Sequence, residues 1–175
     1  KPIINLKVSR KLAFGMTQQK NETNKYLVIG SNCFTGSHIV NELLNTSNNS
    51  VYGISRSPEP ASFMLPYKSN KNAHNFIFSQ IHLVKEIGKI IDLIDEIQPT
   101  HIINVAALSE VELSHDVPLG YFNINLTSVV ELCDKLKNRS YLKHYIHISS
   151  AEIYGSTPEP VTEDSIITPT TPYAV

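Results

Sequence analysis

The chain has 175 residues, 41% of them hydrophobic, with 15 basic and 16 acidic side chains for a formal net charge of −1. That length fits one domain with a short tail, and the apolar fraction suffices for a packed core, which excludes a disordered chain. The near-neutral charge gives no electrostatic case for a nucleic-acid partner, and the longest apolar runs are strand-sized, so no membrane span is expected.

Residues 1–24 differ from the rest. They carry Lys1, Lys7, Arg10, Lys11 and Lys20 against one acid, Glu22, with Lys25 just beyond. No apolar run of signal-peptide length follows them. Met16 reads as a natural start, which makes residues 1–15 an upstream or artificial extension; the rival is an N-terminal arm packed on the domain. The domain proper is expected over 25–175.

From there strand and helix patterns alternate. Tyr26–Gly30 is a short apolar run ending in glycine, the pattern of a buried parallel strand. Residues 36–46 read as a helix with Ile39, Val40, Leu43 and Leu44 on one face, broken by Thr46–Ser50. Val51–Ser55 is a second strand. Residues 57–75 hold prolines without a clear period and read as loop, and Phe76–Gln80 is a third strand. Ile87, Ile90, Ile91, Ile94 and Ile97 fall at helical spacing over 84–97, and Pro99 stops that helix. His101–Ala106 is a fourth strand. A helix is expected over 120–137 with Leu126, Val129, Val130, Cys133 and Leu136 inward. Tyr141–Ser149 is a fifth strand, and a Pro- and Thr-rich loop comes after it. The alternation predicts an α/β fold: a Rossmann-like, doubly wound parallel sheet with helices on both faces. Sites in such sheets lie at the carboxyl ends of the strands.

Cys33 and Cys133 form neither a disulfide framework nor a metal site, consistent with a reducing, cytoplasmic setting. His38, His74, His101, His115, His144 and His147 show no metal-ligand spacing and read as structural or surface groups, His147 as a satisfied core group. No metal is expected.

The loop Gly30-Ser31-Asn32-Cys33-Phe34-Thr35-Gly36 joins the first strand to the first helix. A glycine-rich turn there lets the backbone approach a pyrophosphate and aims a helix N-terminus at its charge. Cys33 stands at the usual middle glycine, as a small replacement whose Cβ is expected to push the pyrophosphate slightly outward. The second strand ends in Ser55-Arg56-Ser57, with no acid before Glu59. An acid there would bind a ribose 2′-hydroxyl, whereas Arg56 can neutralise a 2′-phosphate and the two serines can hydrogen-bond it. NADP is therefore favoured over NAD.

These residues resemble the extended short-chain dehydrogenase/reductase family, the NAD-dependent epimerase/dehydratase group. The resemblance runs from Tyr26 to Val175 and is carried by Gly30–Gly36, Asn104-Val-Ala-Ala107, Asn125, His147-Ile-Ser-Ser-Ala-Glu-Ile-Tyr-Gly155 and Pro172-Tyr173-Ala174. It implies action on a nucleotide-diphosphate sugar through a transient 4-keto intermediate. It implies cofactor contacts from Gly30, Asn32, Cys33, Phe34, Thr35, Gly36, Ala106, Ala107 and Tyr173. Tyr173 matches the family's base on the sugar 4-hydroxyl, and Ser150 the residue that hydrogen-bonds the same hydroxyl. A free tyrosine titrates at about 10, too high for a base near neutrality. In the family a Lys four residues on helps to lower it; that position falls beyond Val175. The sequence is accordingly read as the cofactor-binding N-terminal part of a longer enzyme, with cofactor binding but little turnover expected alone.

The motif after Ser150 separates reactions. Glu152 matches the base of nucleotide-sugar 4,6-dehydratases, most like the GDP-mannose 4,6-dehydratase type, while Ala151 replaces the acid of one dehydratase subgroup. A Glu also stands here in decarboxylases, and simple 4-epimerases usually have a non-acidic residue. A 4,6-dehydratase is the leading expectation, with an epimerase, a decarboxylase or a non-catalytic NAD(P) sensor as alternatives. The family's Asp at the adenine amine is replaced by His82, leaving a neighbouring backbone amide, with Leu83 beside it, to meet the base. Ser109, in the loop after the fourth strand, is a candidate substrate contact. A homodimer of the full-length protein is expected, with the helix at 120–137 as its candidate face.

Overall fold

The computed structural model describes residues 23–175, so the reading of residues 1–22 lies outside it. Five parallel strands form one sheet: β1 (Lys25–Ile29), β2 (Ser50–Ser55), β3 (Phe76–Gln80), β4 (His101–Asn104) and β5 (His144–His147). Their spatial order is β3-β2-β1-β4-β5. The chain winds outward from β1 in one direction to β3, then crosses back to β4 and β5. The reversal between β1 and β4 leaves a crevice at their carboxyl ends.

Alternation along β1 builds a core on each face of the sheet, because successive side chains point to opposite sides. Leu27 and Ile29 join Ile54 and Ile102 under α2 (Ile87–Ile97) and, later in the chain, α5 (Ser128–Leu136), which contribute Ile90, Ile94, Leu132 and Leu136. Val28 and Val51 face the other way, onto Val40 and Leu44 of α1 (Phe34–Leu44). The expected doubly wound sheet is present. β5 is the outer strand of the described sheet and is largely exposed.

Three expectations change. Residues 57–75 are not plain loop: they contain three 3₁₀ turns, Ser62–Met64, Pro66–Ser69 and Ala73–Asn75. These drive Leu65 and Tyr67 into the α1-side core, each 1% exposed. The helix expected over 120–137 is a broken one: α3 (Val111–Asp116), α4 (Pro118–Tyr121), a π-helical turn (Phe122–Thr127), then α5. A π turn is wider than an α turn and so rotates the helix beyond it. The buried stripe is thus Ser128, Leu132 and Leu136, while Leu126 and Val130 are exposed at 47% and 60%. Of the five residues expected inward only Leu136 is buried; Val129 is half-buried and Cys133 exposed. Third, His147 is exposed at the end of β5 and is not a core group.

Candidate functional site

The loop after β1 is pinned on both sides. The amides of Gly30 and Ser31 both donate to the Ile54 carbonyl, at 2.7 and 3.2 Å, tying the loop to β2. Gly30 adopts φ +92°, and a Cβ on it would stand 2.9 Å from the Ala106 amide nitrogen. Only glycine lets the loop lie against the end of β4 in that conformation. A Cβ on Gly36 would overlap the Gly30 carbonyl oxygen, so the first turn of α1 packs directly on the loop. Cys33 needs no glycine freedom: its φ is −75° and its ψ 166°, and it caps α1, with Sγ accepting from the Gly36 amide at 3.2 Å. The N–H groups of Phe34 and Thr35, at the first turn of an 11-residue helix, keep no partner among the described residues.

A cavity of about 280 Å³ opens at the carboxyl ends of β1, β2, β3 and β4. It gathers Gly30, Asn32, Cys33, Ser55, Arg56, Ser57, His82, Leu83, Ala106 and Ala107, all candidates from the sequence. Phe34, Thr35 and Gly36 do not line it: Phe34 is 81% exposed and leans on the His38 ring, and Gly36 is buried beneath the loop. Asn32 staples the loop to β2. Its amide donates to Ser55 Oγ and its Nδ2 to the Ser57 carbonyl, each at 3.0 Å. Its Oδ1 is buried without a partner.

Arg56 is exposed at the rim of this cavity. The nearest downstream acid is turned to other work. Glu59 accepts from Tyr67 Oη and Lys68 Nζ, both at 2.7 Å, and lines no part of the cavity. Burial, and then the Glu59 carboxylate, push the Tyr67 phenol far above its ordinary range. At the end of β3 the His82 amide donates to Glu86 Oε2 at 2.9 Å, and His82 Nδ1 accepts from the Val84 and Lys85 amides at 3.2 and 3.4 Å. A hydrogen bond from Lys89, then that amide, hold the Glu86 carboxyl below its usual range.

The end of β4 is braced from beneath. Asn104 is fully buried; its Oδ1 accepts from the Ala106 amide at 3.1 Å and its Nδ2 donates to Tyr145 Oη at 3.2 Å. Burial pushes the Tyr145 phenol up to about 12. Asn125, inside the π turn, closes a two-point pair with Leu108: N–H to Oδ1 at 2.9 Å and Nδ2 to carbonyl at 2.8 Å. Ile124 of the same turn enters the cavity wall with Val105. Sequence reasoning missed both wall residues; a π turn has no compositional mark.

A second cavity, about 150 Å³, adjoins the first through Ala106 and Ala107, which line both. Ser150 and Tyr173 line it together. Ser150 Oγ accepts from the Glu152 amide at 3.2 Å and so caps the 3₁₀ turn Ala151–Tyr154. Tyr173 meets Tyr121 edge-on, ring centroids 6.3 Å apart. Glu152 and Ser109 are exposed and line neither cavity. Among the described residues there is no cluster of His, Cys, Asp and Glu able to hold a metal, and no helix long and apolar enough to cross a membrane.

The family model described as GDP-mannose 4,6 dehydratase matches residues 27–175. A UDP-glucose 4-epimerase of Bacillus subtilis (strain 168) is 31% identical over 149 residues, 84% of this chain and 43% of that protein. The dTDP-glucose 4,6-dehydratase 1 of Escherichia coli (strain K12) is 26% identical over 171 residues, 86% of this chain and 45% of that protein. The solved UDP-glucuronic acid 4-epimerase of Bacillus cereus, in complex with UDP-glucuronic acid and NAD, matches at a TM-score of 0.72 and 28% identity, covering 86% of this chain and 48% of that one. The chain thus spans less than half the length of these relatives.

Proposed function

Because the chain belongs to the GDP-mannose 4,6-dehydratase family of nucleotide-sugar dehydratases and epimerases, we propose that its larger cavity holds a nicotinamide dinucleotide and its smaller one the sugar of a nucleotide-diphosphate sugar. The observation that carries this reading is the join between the cavities at Ala106 and Ala107, with Ser150 and Tyr173 on the far side. The residues fit such a cofactor. Gly30 leaves bare backbone where a Cβ would strike Ala106, α1 offers two free amides for a pyrophosphate, and Asn32 keeps a buried oxygen without a donor.

When bound, the nicotinamide supplies a place for hydride to go and return. This chain's residues then have separate tasks. Gly30, Cys33 and the first turn of α1 hold the pyrophosphate. Arg56 meets the phosphate on an adenosine ribose, which favours NADP over NAD; the solved Bacillus cereus relative carries NAD. Ser150 Oγ hydrogen-bonds the sugar 4-hydroxyl, and Tyr173 Oη takes its proton as the 4-keto sugar forms. The enzyme works in the cytoplasm as a homodimer.

For the overall reaction we favour 4,6-dehydration, with the Glu152 carboxylate taking the proton from C5. One observation favours 4-epimerisation as a second reading: Glu152 lies outside the cavity that Ser150 and Tyr173 line. Incubation of the full-length protein with GDP-, UDP- and dTDP-sugars in heavy water separates them. Dehydration washes deuterium into C5 and loses it in Glu152→Gln; epimerisation inverts C4 with C5 untouched. Absence of both outcomes across that panel rejects the sugar chemistry.

A further inference from the structure

Hydrogen-bond direction at the end of β4 can be followed from one backbone amide out into the smaller cavity. The inference rests on the nucleotide-sugar reading above. A backbone N–H only donates, so the Asn104 atom that meets the Ala106 amide at 3.1 Å is Oδ1. Nδ2 therefore faces β5, with two hydrogens for two partners: Tyr145 Oη at 3.2 Å and His147 Nδ1 at 3.4 Å. His147 Nδ1 is the acceptor of that contact, and a neutral imidazole that accepts at Nδ1 carries its proton at Nε2. A proton on Nδ1 would set N–H against N–H, and desolvation already lowers the His147 pKa below the ordinary 6.5. Asn104 is fully buried and lines neither cavity, whereas His147 is exposed and lines the smaller one. The free edge of the ring is thus the Nε2 edge, and Nε2 has no hydrogen-bond partner among the described residues.

Few polar side chains of this cavity are left to meet a sugar. Tyr121 Oη donates to the Glu110 carbonyl, and both ends of the Asn125 amide are taken by Leu108. That leaves His147, Ser149, Ser150 and Tyr173. In the reading above Ser150 and Tyr173 serve the 4-hydroxyl. We propose that His147 is a substrate-binding residue whose Nε2–H donates to a hydroxyl oxygen of the sugar other than the one at C4. Asn104 holds its proton at Nε2, so the ring offers a fixed donor without a charge. A site built to hydrogen-bond one hydroxyl rejects the sugar that lacks it.

The test is calorimetric binding to the full-length protein loaded with NADP, with Tyr173→Phe present throughout so that no sugar is converted. The probes are GDP-mannose, UDP-glucose and dTDP-glucose, then the 2-deoxy, 3-deoxy and 6-deoxy forms of the one that binds tightest. Each deoxy form is compared with its parent within one protein, so a change in stability does not enter the ratio. With His147 in place, one deoxy form is expected to bind about tenfold more weakly than its parent, the size of one lost hydrogen bond. In His147→Phe the parent sugar should weaken by a similar factor, and that deoxy form should lose less than about twofold against it, because the two changes remove the same contact. His147→Gln, whose amide N–H reaches the same place, should bring the discrimination back. The proposal is overturned if every deoxy loss seen with His147 persists in His147→Phe, if no deoxy form is discriminated with His147 in place, or if His147→Gln behaves like His147→Phe. If none of the three sugars binds, the nucleotide-sugar reading itself falls and this inference with it, a result distinct from losses that simply add.

Discussion

Gly30 and Ala106 touch backbone to backbone: a Cβ on Gly30 would lie 2.9 Å from the Ala106 nitrogen, at a φ of +92°. This contact brings the loop after β1 onto the end of β4, across the point where strand order reverses, and Ala106 is also shared with the second cavity. Gly30→Ala is expected to strain the loop by about 1–3 kcal/mol. The melting temperature should fall by roughly 2–4 °C per kcal/mol. Dinucleotide binding should weaken with it; a variant that melts and binds like wild type contradicts the role given to this contact.

Cys33 is a helix cap rather than a failed glycine. Its backbone at φ −75° suits any residue, and its sulfur holds the Gly36 amide. Cys33→Ser should keep or raise stability, since a hydroxyl is the better cap, while Cys33→Ala should cost about 0.5–2 kcal/mol. Cys33→Gly should not help, because glycine adds chain entropy without a needed conformation. Thermal melts of the three variants check the order; a stabilised Cys33→Gly would reverse it.

Arg56 stands exposed at the cavity rim, while the nearest downstream acid is held by Tyr67 and Lys68. Arg56→Ala is expected to weaken NADP by about tenfold, the lower end for a charge-assisted bond at an exposed site, and NAD hardly at all. Equal losses for both would mean that Arg56 does not read the 2′-phosphate.

At the amino-terminal ends of the strands, His101 lies between Tyr26 and His144, with ring centroids at 4.7 and 5.2 Å, and Thr100 Oγ1 lies 2.8 Å from its Nδ1. Burial first, then His144 and Lys143, lower its pKa below the ordinary 6.5. The unfolded chain therefore binds the proton more readily. This contribution to stability is fully present above pH 6.5 or so and declines as pH falls through that value. His101→Gln should flatten that part of the melting-temperature profile between pH 7.5 and 5.

Much of this is legible in the sequence because local pattern and tertiary need agree. Tyr26–Gly30 and Val51–Ser55 are apolar runs that end in the residues lining the cavity, and the isoleucines of α2 keep strict helical spacing. The turn at 122–127 is not legible, since Phe-Asn-Ile-Asn-Leu-Thr carries no proline or glycine to mark a widened turn. The buried face of α5 shifts with it. Leu65 and Tyr67 read as loop residues because prolines surround them, and only packing against α1 makes them core. At the site, the family resemblance makes Ser150, Glu152 and Tyr173 candidates alike. Ser150 and Tyr173 share a cavity, but the 3₁₀ turn that Ser150 caps leaves Glu152 outside.

The central claim is that the crevice between β1 and β4 holds a nicotinamide dinucleotide, and titration calorimetry of this chain with NADP and NAD tests it most directly. The expected result is one site per chain, tighter for NADP, and weakened in Gly30→Ala. No heat of binding for either dinucleotide at millimolar concentration, from a chain that melts cooperatively, would contradict it.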